Sequence, residues 1–314
     1  MKHNHSHGKL LLTGEYLVLD GALSLAVPTR FGQSLIIKPT EEPMLLWKSF
    51  DDNKKLWFEG TFKIKNNEIL KQIQNDDSIS NRLVQILNAA KSLNPMFLNK
   101  SQGYEVITHL EFPKNWGLGT SSTLINNIAQ WANIDPYELL ELTFGGSGYD
   151  VACAEAEGAL TYQINHNEIL NQVKHDKKRE IKTVNFNPSF KSHLYFVYLN
   201  QKQNSRDGIA QYRLNTSDLT KDIEAVTSIT QDMIACNSLE QFQKLMNRHE
   251  QIVSKIINQK PIKTQLFGDF NGSIKSLGAW GGDFVLVASK YNPTSYFNSK
   301  GYSTVIAYHQ MVLK

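Results

Sequence analysis

The sequence predicts an α+β protein of two domains, and three observations predict it. The start of the chain reads mostly as short strands separated by polar turns. A glycine-rich loop then feeds the beginning of a helix near residue 120. Beyond about residue 165 the pattern changes to two long amphipathic helices set between apolar strands. The 314 residues suffice for two modest domains. The polar stretch 165–180 is where the boundary is expected, giving domains 1–165 and 166–314.

Gly8–Leu12 reads as a buried strand, Thr13-Gly14 as a turn and Tyr16–Leu19 as a returning strand closed by Asp20-Gly21, a strong hairpin signal. Ser34–Ile37 and Met44–Trp47 are extended. Asp51-Asp52-Asn53 and Asn66-Asn67 are polar turns around Leu56–Phe58 and Phe62–Ile64. Ser80–Leu93 carries Leu83, Val84, Ile86, Leu87 and Ala90 at helical spacing. Tyr104–Leu110 is a strand, and Leu124, Ile125, Ile128, Ala129 and Ala132 mark one face of the helix after the glycine loop. Asp135-Pro136-Tyr137-Glu138 opens another helix, with Asp at the N-cap, Pro in the first turn and Glu as the capping-box partner. That helix is expected to stop before Gly145-Gly146. Leu194–Leu199 is an apolar strand, helices follow near 218–235 and 238–258, and Phe284–Ala288 and Thr304–Tyr308 are strands. The second of those helices carries Leu239, Phe242, Leu245, Met246, His249, Ile252, Val253 and Ile256 as a stripe. His249 is expected to be a core-edge histidine there rather than a ligand.

Composition narrows the classes. Hydrophobic residues make up 41% and charged residues 20%, which supports a packed core. A net charge of +3 is too weak for a general nucleic-acid binder. Two cysteines, Cys153 and Cys236, build no disulfide framework and fit buried thiols in a reducing compartment. No apolar run approaches the ~20 residues that span a bilayer, and MKHNHSHGKL is no signal peptide. The expected location is cytoplasmic, without membrane or nucleic-acid partners. His3, His5 and His7 alternate near a terminus that is expected to be mobile, and are read as an incidental cluster.

Four segments carry chemistry. Gly117 and Gly119 allow close backbone approach and positive φ. Thr120, Ser121 and Ser122 follow where a helix begins, and its free N–H groups and dipole favour a phosphate. A hydroxyl there can also ligate Mg²⁺. By itself this loop is better read as a glycine turn and Ser N-cap before an ordinary helix, and it is not a P-loop, because no Lys follows in frame. Phe144-Gly145-Gly146-Ser147-Gly148-Tyr149-Asp150 puts a carboxylate after a glycine turn. Lys275-Ser276-Leu277-Gly278-Ala279-Trp280-Gly281-Gly282-Asp283 precedes a strand and points to tight packing or a ligand. Gly8-Lys9 puts a cation in an apolar strand, where it needs an anionic partner.

In this order the segments resemble the GHMP kinases: galactokinase, homoserine kinase, mevalonate kinase and phosphomevalonate kinase. Pro113…Gly117-Leu118-Gly119-Thr120-Ser121-Ser122 matches their phosphate-binding motif. Gly8-Lys9-Leu10…Gly14-Glu15-Tyr16 resembles their first motif and Gly278-Ala279-Trp280-Gly281-Gly282-Asp283 their third. Ser147-Gly148-Tyr149-Asp150-Val151-Ala152 is similar to the segment holding the catalytic Asp of the mevalonate branch. The departures are a missing Pro before Gly8, Thr120 for Ser, Ser122-Thr123 for small alanines, and Trp280 for a glycine. Trp280 is expected to narrow the site or stack on a nucleotide base.

The resemblance implies a two-domain fold, with an N-terminal ribosomal protein S5 domain 2-like domain and a ferredoxin-like C-terminal domain. It implies ATP and Mg²⁺ as cofactors, with ATP along Gly117, Leu118, Gly119, Thr120, Ser121 and Ser122. It implies Mg²⁺ on Ser121 with a carboxylate, Glu141 being preferred because Glu138 has a capping role. It implies Asp150 as the base and Lys9 as the cation that keeps Asp150 ionised. Substrate contacts are implied for Glu15, Ser147, Gly278, Gly281 and Arg206, the last able to grip a carboxylate or phosphate. The expected acceptor is a small anionic metabolite, foremost phosphomevalonate, on a monomer or homodimer. Mevalonate kinase is the alternative. A GHMP-fold binding module without catalysis is the alternative of another class, and the joint presence of Lys9, Ser121 and Asp150 argues against it.

Overall fold

The computed structural model describes residues 1–65, 68–71, 78–98, 102–165, 178–203, 205–215 and 217–314. The chain begins with β1 (Lys2–Leu11), β2 (Ser24–Thr40), β3 (Met44–Phe50), β4 (Leu56–Lys65), β5 (Glu68–Lys71), α1 (Ser78–Leu93) and β6 (Gly103–Leu110). It continues through α2 (Thr120–Ala132), α3 (Pro136–Thr143), α4 (Tyr149–Glu155), β7 (Leu160–Asn165), β8 (Lys178–Thr183), β9 (Leu194–Tyr198), α5 (Ser205–Arg213), α6 (Thr220–Ala235) and α7 (Leu239–Ile256). The last part holds α8 (Ile262–Leu266), β10 (Ser273–Ser276), β11 (Phe284–Ala288), α9 (Thr294–Ser299), β12 (Val305–Ala307) and α10 (Tyr308–Met311). This is a mixed α+β architecture, as the sequence predicts.

Two compact units result. One is made of Met1–Gly8, Phe31–Lys114 and Leu118–Glu155, the other of Lys9–Arg30, Asn115–Gly117 and Ala156–Lys314. The chain passes between them several times, whereas the sequence reading divides it once, at the polar stretch that begins near residue 165; a boundary at 165/166 is kept as a proposal.

In the first unit the strand order is β5-β4-β3-β6-β2. β3 and β6 run parallel, with Leu45 beside Tyr104 and Trp47 beside Val106. A parallel pair needs a long crossover, and β4, β5 and α1 supply it. Burial alternates along β3, so Leu45 and Trp47 point inward with Leu35, Ile37 and Val106. Leu83, Ile86, Leu87, Ile125, Ile128 and Leu139 of the helices close that core. Of the stripes predicted for α1 and α2, Leu83, Ile86, Leu87, Ala90, Ile125, Ile128, Ala129 and Ala132 are buried and Val84 and Leu124 partly so, while α2 also buries Thr123, Asn126 and Asn127.

In the second unit β2 pairs through Ser24–Ala26 with β7, and β7 pairs with β8. A second, antiparallel sheet has the order β10-β11-β9-β12. Every residue of β10 and β11 is buried; β11, all apolar, reads as a continuous buried strand, whereas Ser273-Ile274-Lys275-Ser276 of β10 gives no strand signal in the sequence. Among the described residues no helix is long and apolar enough to cross a membrane. Cys153 and Cys236 are both buried and in no disulfide.

Four local expectations are corrected. Residues 16–19 are not a strand: Leu17–Asp20 form a 3₁₀ turn between Tyr16 at φ 63° and Gly21 at φ 94°. Leu17 and Val18 are consecutive and both buried, which a turn permits and a one-sided strand does not. Leu56–Phe58 and Phe62–Ile64 belong to one continuous strand, β4. The last strand stops at Ala307, and Tyr308 begins α10. The N-terminal histidines lie in β1 rather than in a mobile tail, with His5 Nε2 3.2 Å from Glu111. Asn66-Asn67 lie outside the described residues.

Candidate active site

The glycine loop and the helix it opens are built as the residues dictate. Gly117 and Gly119 adopt φ 68° and 96°, in the left-handed region. Gly119 is the N-cap of α2 and carries no side-chain cap. The first N–H groups of a helix have no partner inside it, so those of Thr120, Ser121 and Ser122 face outward at the positive end of a 13-residue helix. A buried polar ladder anchors this helix. Ser6 Oγ donates to Asn127 Oδ1 at 2.9 Å, Asn127 Nδ2 donates to the Gln33 carbonyl at 2.9 Å, and Thr123 Oγ1 donates to Gln33 Oε1 at 2.7 Å.

The hydroxyls divide in a way the sequence did not reveal. Ser122 Oγ donates to the Gly119 carbonyl at 3.0 Å and is buried. Its hydroxyl is therefore taken up inside the loop, and its N–H is one of the helix-start groups with no partner inside the helix. Ser121 is exposed and Thr120 half-buried. An uncapped helix start with an exposed hydroxyl fits a phosphate with its cation.

Asp135 caps α3 by accepting from Tyr137 N–H at 2.6 Å. Glu138, expected to close the capping box, makes no hydrogen bond among the described residues, so the reason for ranking Glu141 above it falls away. Both glutamates are exposed on α3. Among the described residues no group of three His, Cys, Asp or Glu side chains could hold a metal. Mg²⁺ characteristically needs only one or two carboxylates beside phosphate and water oxygens. Asp150 stands half-buried in the first turn of α4 after Gly148 at φ 95°, and Oδ1 accepts from Val151 N–H at 3.2 Å. Ser147 is buried just before it.

In the second unit Lys9 Nζ donates to the Gly117 carbonyl at 3.1 Å. The cation of the first motif and the first glycine of the glycine loop are thus brought together. The carboxylate of Asp283 closes on the same glycine: a Cβ at Gly117 would lie 2.3 Å from it. Residues 277–283 link β10 to β11, with Gly278, Trp280, Gly281 and Asp283 all at positive φ. A Cβ at Gly281 would lie 2.8 Å from Gln203 Nε2, a contact a swing of that amide relieves, so it is the φ of 81° that favours glycine here. Trp280 does not present a face to a base. It is 2% exposed and packs with Tyr16, Leu17, Ala22 and Tyr212, because its backbone at φ 47° turns the ring inward. Arg206 lies in α5, and its side chain falls outside the described residues.

Glu15 is fully buried and ion-paired with Lys275. His249 lies beside it, and Gly14 N–H donates to His249 Nε2 at 2.9 Å. The ring is therefore neutral with its proton on Nδ1, and its 3.4 Å approach to Glu15 is no ion pair. Burial, and then the charge of Lys275, hold His249 well below its ordinary value. Burial pushes Glu15 up, with Lys275 opposing. Glu250 completes the cluster: its oxygens accept from Ser276 N–H at 3.0 Å and Ser276 Oγ at 2.8 Å. Sequence reasoning missed Lys275 and Glu250. Lys275 lies in Ser273–Ser276, whose serines give no apolar run, so only the burial of that strand in the fold exposes its need for an anionic partner. Glu250 follows Met246 by one helical turn and shares its buried face.

Burial raises Glu250 to about 7, with Lys275 and Ser276 opposing. The folded value lies above the ordinary 4.5, so the protonated form favours folding. This contribution is complete below pH about 4.5 and is lost as pH rises through about 7. Its size is about 3 kcal/mol. Glu250→Gln is expected to flatten the fall in melting temperature between pH 5 and pH 8; an unchanged slope would remove Glu250 as its source.

No protein-family model matches the chain, and no curated protein matches it by sequence. Solved structures do resemble it. A mevalonate kinase superposes at TM-score 0.68 with 13% identity, over 97% of each chain. A Streptococcus pneumoniae phosphomevalonate kinase, solved with phosphomevalonate and AMPPNP, gives 0.68 and 16% over 96% of each chain. A Lactococcus lactis galactokinase complexed with galactose gives 0.67 and 14%, over 99% of this chain and 93% of its own.

Proposed function

We propose that this chain, which has the fold of the GHMP kinases, is an ATP-dependent kinase that phosphorylates a small anionic metabolite. The observation that carries the reading is the uncapped N-terminus of α2 behind Gly117 and Gly119, a ready anion site. When bound, ATP supplies the phosphoryl group and Mg²⁺ neutralises its developing charge. Residues 117–122 would cradle the phosphates through their backbone N–H groups, and Ser121 would hold the cation with Glu138 or Glu141. Asp150 would take the proton of the attacking hydroxyl, and Lys9 would keep that carboxylate ionised. Such transfer rests on positioning and charge stabilisation, so few side chains suffice.

Phosphomevalonate is the acceptor we infer. The stretch Leu11-Leu12-Thr13-Gly14-Glu15-Tyr16-Leu17-Val18-Leu19 and the ending Gly281-Gly282-Asp283 lean toward that branch, and a phosphomevalonate kinase is among the structural neighbours. Ser147, Glu15, Gly278, Gly281 and Arg206 are its proposed contacts. For Glu15 the contact would be indirect, through its buried pairing with Lys275. A cytoplasmic location and a monomer or homodimer belong to the same reading.

The test is coupled ADP release by the purified chain against phosphomevalonate, mevalonate, homoserine and sugars. Turnover with phosphomevalonate is the expected result. Turnover with another acceptor alone would replace the substrate. Thermal stabilisation by Mg-ATP without turnover on any acceptor would replace the kinase by a binding module.

A further inference from the structure

Residues 115–117, which lead into the glycine loop, are gripped at each position by distant parts of their own unit. Tyr198 Oη donates to the Asn115 carbonyl at 3.1 Å. Trp116 meets Phe284 edge to face at 5.3 Å. Lys9 Nζ donates to the Gly117 carbonyl at 3.1 Å. The carboxylate of Asp283 fills the space where any residue but glycine would carry its Cβ at position 117, 2.3 Å from that point.

Asp283 is itself clamped. Its N–H donates to the Gln201 carbonyl at 2.6 Å, its carbonyl accepts from Leu199 N–H at 2.8 Å, and Oδ1 accepts from Gln203 N–H at 3.2 Å. Its φ of 52° lies in the left-handed region, which Asp tolerates better than most non-glycine residues. Gly282 makes room for this: a Cβ there would lie 2.6 Å from Gln203 Cγ.

We propose that Asp283 is a positioning residue: its carboxylate, set against the first glycine of the loop, fixes the carbonyl on which Lys9 rests and so holds the Lys9 ammonium in place. The proposal rests on the kinase reading, in which Lys9 acts at the reacting phosphoryl group. It gives the acidic end of the third glycine motif a role that its spacing alone does not suggest. Among the described residues, the charges of Lys9 from β1 and Lys202 from the loop after β9 act on this carboxylate, and it acts on Tyr198 of β9. Burial pushes Asp283 up, and Lys9 is the first of the charges that oppose this. The carboxylate in turn helps raise Tyr198. An ammonium that loses an anionic neighbour gives up its proton more readily. The state of Lys9 therefore reports on Asp283 without any turnover.

The experiment pairs Asp283→Asn, which keeps the shape and removes the charge, with Asp283→Ser as a second neutral variant in case the first does not fold. Two quantities are read. Trace acetylation of Lys9 by acetic anhydride at pH 8, quantified by mass spectrometry on the whole folded chain, is expected to rise at least about threefold in each variant. The kcat is expected to fall about tenfold while the nucleotide KM moves less than about twofold, as for an interaction made only in the transition state. Unchanged acetylation in both variants would overturn the proposal. So would increased acetylation with unaltered kcat, since Asp283 would then neighbour Lys9 without positioning it. A wild-type chain that transfers no phosphoryl group would sink the kinase reading instead, in a measurement independent of the labelling.

Discussion

Lys275→Met is expected to destabilise the protein by about 3–5 kcal/mol, the cost of removing one partner of a buried ion pair. Lys275 and Glu15 are both buried, and no water-facing rearrangement can solvate the carboxylate left behind. Lys275 also donates to the Ser276 carbonyl at 2.9 Å, and its charge offsets the burial of Glu250. Removing it strands two carboxylates, which must then fold protonated. The stranding makes a further outcome specific: Glu15→Gln combined with Lys275→Met recovers part of the loss, because replacing both members of a buried pair leaves less charge uncompensated. Melting temperatures at pH 7 provide the check, with a fall of roughly 10 °C for the single variant. A change under about 2 °C would mean that the pair does not hold this core together.

Asp150→Ala is expected to lower turnover by at least ~10², the usual scale for losing a general base, while Mg-ATP still stabilises the folded chain. Nucleotide binding is assigned to the start of α2, whereas Asp150 sits in the first turn of α4. Loss of kcat with retained binding is therefore the diagnostic pattern. Asp150→Asn should behave alike, since the amide keeps the shape but accepts no proton. Full turnover in either variant would remove Asp150 from the mechanism and leave positioning alone to carry the reaction.

The sequence by itself determined what depends on neighbours along the chain. Apolar residues at helical spacing marked α1, α2, α6 and α7 to within a few residues, because burial of one face is written locally. Gly117 and Gly119 announced a tight loop, and both take positive φ, because only glycine does so without strain. Asp135 announced the start of α3, since a cap acts within one turn. Tertiary structure alone decided what depends on meetings between distant segments. It folded Leu17–Asp20 into a turn, turned Trp280 inward, and set Asp283 against Gly117. It also joined Glu15 to Lys275, which lies 260 residues further on. Charged side chains read as solvated until an opposite charge is brought beside them. Nothing in local spacing encodes that meeting, because the partner's position is a property of the whole fold.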